Sequence, residues 1–88
     1  MDDDNFIFVL KSEIRFYILV SLKNKSQTPT ELAKNSKFYL SHISKNLKDL
    51  LNQGFVHCEN CDSSKNKKFT ISKKGKNCLK IINKLTNV

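Results

Sequence analysis

The residues best suited to chemistry lie together in residues 54–75, GFVHCENCDSSKNKKFTISKKG. Cys58 and Cys61 are separated by two residues, a spacing found in zinc sites and in thiol–disulfide exchange. Lysines crowd the same segment, and they would also suit a loop that contacts phosphate groups. The segment is therefore compatible with a metal site, a redox site or a basic hairpin that carries two incidental thiols.

A structural zinc ion needs four ligands in a tetrahedron, of which Cys58 and Cys61 would supply two. The other candidates are His57, His42 and Cys78. On a strand, His57 points to the face opposite Cys58, and Cys78 lies on an apolar helical stripe where a core role is expected. The chain holds no second pair of closely spaced ligands. We therefore expect no metal and no other cofactor, and we keep Cys58 and Cys61 as minor metal candidates, within one chain or shared between two protomers.

A redox pair of cysteines normally opens a helix, whose N-terminal dipole lowers the thiol pKa. Here Cys58 ends a strand-like run and Cys61 enters a loop, although the neighbouring lysines would activate Cys61 to some extent. The three cysteines are an odd number, which argues against a disulfide framework. The favoured interpretation is a basic hairpin with incidental thiols.

The charge distribution indicates a polyanionic partner. The chain has 16 basic and 8 acidic side chains, a net charge of +8. No acid follows Asp62, whereas lysine recurs to the end of the last predicted helix. A basic half of this kind is typical of nucleic-acid binding. Arg15 is the single arginine and asparagine is abundant, which suggests an A·T-biased genome. Lysine is less suited than arginine to bidentate reading of guanine.

The length of 88 residues predicts a single domain, residues 1–88. The acidic N-terminus lacks the basic region of a signal peptide, and the apolar runs are too short to span a bilayer, so we expect a cytoplasmic protein with no membrane partner. No carboxylate pair, nucleophile–base set or glycine-rich phosphate loop can be assembled. An enzyme is therefore not expected.

The elements that would position these residues follow from the hydrophobic pattern and the capping signals. The pattern predicts an N-terminal helical region at 5–22, with Ser12 as a cap inside it, and two helices within 29–53. Thr28, Pro29 and Glu31 form a capping box that begins the first of the two. A hairpin is predicted at 55–71, and Ser72 caps a last helix at 73–86.

The second helix of the pair, about residues 40–53, is amphipathic. Its apolar arc is predicted to comprise Leu40, Ile43, Leu47, Leu50 and Leu51. The opposite arc comprises Ser41, His42, Lys45, Lys48, Asp49 and Asn52, with Ser44 at its flank. We expect Asp49 to pair with Lys45 one turn earlier and Gly54 to close the helix in a left-handed conformation.

In the hairpin, the alternation places Val56 and Cys58 on one side and Phe55, His57 and Glu59 on the other. The last helix has an apolar stripe made of Cys78, Leu79, Ile82 and Leu85. Phe38 and Tyr39 are expected to be core or junction residues. The order predicts an α+β fold, a winged helix-turn-helix that is mainly helical with a two- or three-stranded antiparallel wing.

Four segments in register, EIRFYILVSL, TPTELAKNS, LSHISKNLKDLLNQGFV and FTISKKG, resemble the winged helix-turn-helix regulators of the ArsR and MarR type. The resemblance covers about residues 10–80. It implies a sequence-specific regulator of transcription that binds double-stranded DNA, with about residues 40–53 in the major groove and the wing on the backbone. The DNA-facing positions that match the family are Ser41, His42, Ser44, Lys45 and Lys48. The recognition helix contains no cysteine, so the ArsR-type thiolate metal site is absent there.

The basic charge of the wing adds Lys65, Lys67 and Lys68 as expected phosphate contacts. We expect a homodimer, because a core this small favours self-association and because the N-terminal segment, Phe6–Leu10, and the last helix have little else to cover them. Two alternatives remain: a winged helix module that binds another protein, and a thiol- or metal-responsive regulator that uses Cys58 and Cys61.

Overall fold

The computed structural model describes residues 2–60 and 67–86, with side chains described at 6–60 and 67–85. Its elements in chain order are α1 (Asp2–Leu10), α2 (Glu13–Leu22), α3 (Pro29–Lys34), α4 (Leu40–Asn52), β1 (Val56–Cys58), β2 (Phe69–Ile71) and α5 (Lys73–Thr86). The predicted fold class is confirmed, because the protein is mainly helical and β1 and β2 form a two-stranded antiparallel sheet.

The N-terminal region consists of two helices, and the second begins after the predicted cap, Ser12. Helix α1 ends at Leu10, and Ser12 caps α2 by accepting a hydrogen bond from the Arg15 backbone N–H at 3.3 Å. Ile18, Leu19 and Leu22 of α2 are buried. None of the described helices is long and apolar enough to cross a membrane.

The predicted capping box at the start of α3 is confirmed. The Thr28 hydroxyl accepts from the Glu31 N–H at 3.1 Å, and the Glu31 carboxylate accepts from the Thr28 N–H at 2.9 Å. The Thr28 N–H hydrogen bond lowers the pKa of Glu31, since it stabilises the ionised carboxylate. Pro29 occupies the first helical turn, where its missing N–H costs nothing.

The apolar face of α4 is narrower than predicted. Ile43, Leu47 and Leu50 are buried against the neighbouring helices, whereas Leu40 is 47% exposed and Leu51 is 38% exposed. Positions eleven residues apart are about three turns apart, so Leu40 and Leu51 lie on the same edge of the apolar arc. Helix α4 packs against α2, α3 and β1.

The sheet pairs Val56 with Ile71, His57 with Thr70 and Cys58 with Phe69. Val56 is buried and His57 is exposed, as the alternation predicts. The prediction for Phe55 is wrong, because its side chain is buried with 1% exposure. Phe55 precedes β1 and follows Gly54, whose positive φ of 80° turns the chain, so the strand alternation does not extend to it.

An antiparallel β-bridge between Gln27 and Phe69 joins the sheet to the loop before α3. Gln27 N–H donates to the Phe69 carbonyl at 3.0 Å, and Phe69 N–H donates to the Gln27 carbonyl at 2.9 Å. The base of the wing is therefore fixed to the start of α3.

The remaining expectations concern α5 and the turn before α4. Cys78 is buried in the core, where burial raises its thiol pKa and nearby Lys74 partly offsets the effect. Leu85 is 55% exposed, so the predicted apolar stripe extends beyond the part of α5 that packs. Tyr39 is 74% exposed at the N-cap of α4 and is not a core residue, whereas Phe38 packs against the core.

Candidate nucleic-acid interface

The five residues of α4 that were expected to face DNA lie on its outer face. Ser41, His42, Ser44, Lys45 and Lys48 are all exposed. Within the described side chains, no carboxylate forms an ion pair with either lysine. These cations are therefore available to an anionic partner.

Contacts to other residues hold the first turns of α4. The Asn46 amide donates to the His42 carbonyl at 2.8 Å and its oxygen accepts from the Ser12 hydroxyl at 3.4 Å. The Tyr39 and His42 rings meet edge to face, with centroids 5.9 Å apart. Ser12 belongs to the start of α2, so these contacts orient the exposed N-terminal part of α4 against that helix.

The expected pairing of Asp49 with Lys45 is wrong. Asp49 instead lies 3.7 Å from the Arg15 guanidinium of α2. Asp49 is intermediate in burial and lies beside α2, whereas Lys45 is directed to solvent. The charge of Asp49 is therefore balanced by Arg15 of the same chain. Lys45 is left available to interact with an anionic partner.

The base of the wing adds two exposed lysines, Lys67 and Lys68. The Lys68 N–H donates to the Asn60 side chain at 2.7 Å, and the Lys68 carbonyl accepts from the Glu59 N–H at 2.8 Å. These hydrogen bonds close the described end of the hairpin. Lys65, the third predicted wing lysine, lies outside the described residues.

The cysteine pair is described in part. Cys58 is half-buried in β1 and packs against the core, and Cys61 lies outside the described residues. Across residues 6–60 and 67–85, no three His, Cys, Asp or Glu side chains are grouped so that they could hold a metal ion. The interpretation of the pair as incidental thiols stays a prediction.

A groove joins α4 to the wing. It has a volume of about 410 Å³, and its lining combines apolar side chains with two lysines, Lys48 and Lys67. One side is formed by Leu40, Ser44, Leu47, Lys48 and Leu51 of α4, and the other by Thr28, Pro29, Thr30, Lys67 and Phe69. Lys48 of α4 and Lys67 of the wing therefore border one groove.

Sequence reasoning missed the groove because it placed Leu40 and Leu51 in the core. Both leucines are at the edge of the predicted apolar arc, next to Ser44, and that position was the available signal. Whether an edge residue is buried depends on the neighbouring elements, here α3 and β2.

The sequence of residues 10–88 matches the family model of the winged helix-turn-helix. The chain belongs to the winged helix-turn-helix family. The winged helix-turn-helix that the four sequence segments indicated is thereby confirmed. In this winged helix-turn-helix protein, α3 and α4 form the helix-turn-helix, and β1 and β2 form the base of the wing.

Solved structures share the fold at low sequence identity. HlyU from Vibrio cholerae superposes with a TM-score of 0.77 at 20% identity, over 96% of this chain and 90% of that one. A second structure is the homodimeric winged helix-turn-helix DNA-binding domain of a possible ArsR-family transcriptional regulator from Mycobacterium bovis. It superposes with a TM-score of 0.74 at 17% sequence identity, over 98% of this chain and 78% of that one. An ArsR-like transcriptional regulator from Rhodococcus superposes with a TM-score of 0.71 at 17% sequence identity, over 98% of this chain and 80% of that one. The sequence has no significant match among curated proteins.

Proposed function

We propose that this winged helix-turn-helix protein is a cytoplasmic, non-enzymatic regulator of transcription that binds double-stranded DNA sequence-specifically. Helix α4 lies in the major groove and the wing lies along the backbone. The observation that carries the proposal is the shared groove between α4 and the wing, which is lined by Lys48 and Lys67 and by no acid among the described residues. The chain's net charge of +8 supports the same polyanionic partner.

The polar residues divide into two roles. Lys45 and Lys48 of α4 neutralise phosphates, together with the wing lysines Lys65, Lys67 and Lys68. The short polar side chains of α4 reach base edges in the major groove and supply sequence preference. The residues in this second group are Ser41, His42 and Ser44.

The regulator acts as a homodimer in this proposal. Helices α1 and α5 contact each other, and between them they expose Ile7 at 42%, Leu10 at 48% and Leu85 at 55%. Burial of these side chains against a second copy would remove apolar surface from water. The related Mycobacterium bovis domain is homodimeric. A two-fold dimer would place two copies of α4 in successive major grooves, about 34 Å apart.

A second candidate function is a winged helix module that binds another protein. It is favoured by an apolar groove of about 390 Å³ beside α2, lined in part by Phe16, Val20 and Phe38. Phe16 is 37% exposed and Val20 is 46% exposed. DNA binding is preferred because this groove is bordered by Glu13 and Lys37, which pair with each other at 3.4 Å, and carries no excess of basic charge.

The experiment that tests the proposal is selection from a pool of random duplexes by the full chain, followed by sequencing of the bound fraction. We expect enrichment of a sequence with two-fold symmetry whose half-sites are about 10 base pairs apart. Ser41→Ala and His42→Ala should each change the enriched sequence, whereas His57→Ala, at an exposed position of β1, should not. A bound fraction with no enriched sequence would contradict sequence-specific regulation, and a protein partner would then be the better explanation.

A further inference from the structure

Leu40 is an exposed apolar side chain at the start of α4, on the edge of the apolar arc that adjoins the polar outer face. It is the first residue of α4 and is 47% exposed, while Ile43 of the same turn is fully buried. Exposed leucine at this position contributes little to the core. In helix-turn-helix proteins, the N-terminal residues of the second helix are those that contact base edges.

We propose that Leu40 contacts the C5-methyl group of thymine in the major groove, and that this contact makes it a specificity-determining residue. The inference rests on the proposed DNA-binding function and deepens it. Thymine is the one base that presents a methyl group in the major groove, and apolar side chains recognise it by contact.

The surroundings of Leu40 favour DNA over an apolar protein partner. Leu40 lines the groove that is bordered by Lys48 and Lys67, and none of the groove residues within the described part of the chain is acidic. A partner that fits must therefore offer negative charge next to a small apolar group. A major groove edge with thymine methyls between phosphate backbones has this chemistry.

The composition of the outer face points to the same base pair. The single arginine of the chain, Arg15, is on α2 and is paired with Asp49. Helix α4 therefore has lysine but no arginine, and lysine is less suited than arginine to bidentate reading of guanine. The other polar side chains of α4 are those of serine, histidine and lysine, together with Asn46, which is hydrogen-bonded to His42 and Ser12, and Asn52 at the last position of the helix. An apolar contact to thymine would then help the protein to distinguish one base pair from another, which the polar side chains of α4 do only weakly.

Leu51 provides a matched control within the same groove. It is 38% exposed and lies on the same side of α4, but three turns and about 16 Å further along the helix axis. This position is at the C-terminal end of α4, away from the residues expected to reach base edges. We therefore expect Leu51 not to distinguish thymine from uracil.

The test compares an alternating dA·dT duplex of about 24 base pairs, or two helical turns, with the same duplex containing deoxyuridine. Deoxyuridine lacks the C5-methyl group and keeps the same hydrogen-bonding edge. Binding of the full chain is measured by fluorescence anisotropy for wild type, Leu40→Ala and Leu51→Ala, and thermal unfolding confirms that each variant is folded. The wild type should bind the uracil duplex about threefold to fivefold more weakly per contacted methyl group.

Leu40→Ala should bind the thymine duplex as weakly as the wild type binds the uracil duplex, and it should show no further loss on uracil. Leu51→Ala should retain the full preference for thymine. The inference is overturned if the wild type binds both duplexes equally, or if Leu40→Ala keeps the preference. A wild type that binds neither duplex nor any other duplex would instead refute the proposed function itself.

Discussion

The Arg15 guanidinium of α2 lies 3.7 Å from the Asp49 carboxylate of α4. The same guanidinium stands over the Phe8 ring, 3.9 Å from its centroid, and donates to the Phe8 carbonyl at 2.9 Å. Phe8 in turn stacks on Phe55, with 5.5 Å between centroids. Arg15 therefore links α1, the segment proposed to dimerise, to α4, the helix proposed to enter the major groove.

The first prediction concerns the stability that this link contributes. Arg15→Ala removes a cation–π contact, a hydrogen bond from a charged donor and an ion pair at a side chain that is 20% exposed. It should lower the free energy of unfolding by about 2–3 kcal/mol. Urea denaturation measures the change.

The control is Lys37→Ala, which breaks the ion pair between Lys37 and Glu13. Both side chains are more than 70% exposed, so the loss should be below about 0.5 kcal/mol. Equal losses in the two variants would mean that Arg15 does not connect the helices as described.

The second prediction concerns Gly75 in the first turn of α5. Alanine usually stabilises a helix relative to glycine, by up to about 1 kcal/mol. Here a Cβ would collide with the Phe55 carbonyl oxygen and lie 2.7 Å from Ile71 Cγ1. Gly75→Ala should therefore destabilise the protein by about 2–3 kcal/mol, as measured by thermal or urea unfolding.

Gly54→Ala is the companion variant. Its φ of 80° is unfavourable for alanine, but the neighbouring atom is the flexible Lys74 Cδ at 3.9 Å. We expect a cost of about 1–2 kcal/mol from the backbone conformation. A stabilising Gly75→Ala would refute the close packing of α5 on the chain before β1.

The third prediction is a pH dependence that originates at Glu31. The pKa of Glu31 is lowered from 4.5 by the Thr28 N–H hydrogen bond. A carboxyl whose folded pKa is lower than its unfolded pKa stabilises the fold above the unfolded value, and the contribution disappears as the pH falls through the folded value. Glu31→Gln keeps an acceptor oxygen and removes the charge.

Unfolding midpoints in urea should therefore differ between wild type and Glu31→Gln near neutral pH. The two proteins should begin to converge as the pH falls below about 4.5, where the carboxyl is protonated in the unfolded state, and should match once the pH is below the lowered folded pKa. If the difference between the two urea midpoints stays constant down to acid pH, the negative charge of Glu31 does not contribute to the stability of the capping box.

The fourth prediction separates the two sides of α4. Ile43→Ala creates a cavity at a fully buried position and should cost about 2–5 kcal/mol. Leu40→Ala removes an exposed side chain and should change the free energy of unfolding by less than about 0.5 kcal/mol. A Leu40→Ala variant as unstable as Ile43→Ala would place Leu40 in the core, where the sequence pattern first put it.

Local signals in the sequence predicted the local structure well. Thr28 and Glu31 are three residues apart, so the capping box depends on its own segment and could be read directly. Gly54 and Ser72 likewise act on helix ends within a few residues. The family resemblance arises from these same local patterns, which is why it identified the fold.

Tertiary contacts could not be predicted in the same way. The partner of Asp49 is 34 residues away on another helix, while the helical spacing rule offered Lys45 nearby. The burial of Phe55 depends on the turn at Gly54 and on Phe8 from α1. The groove at Leu40 exists because α3 and β2 cover only part of the apolar arc of α4.

The most direct test of the proposed DNA contact is the salt dependence of duplex binding for two matched lysine variants. Lys45→Ala/Lys48→Ala removes two cations from α4, and Lys23→Ala/Lys80→Ala removes two from a separate surface formed by the end of α2 and by α5. If α4 neutralises phosphates, the first variant should bind more weakly and its slope of log affinity against log salt should flatten by about 2, whereas the second should keep the wild-type slope. Equal slopes for the two variants, or a wild type whose duplex binding does not weaken with salt, would contradict the account.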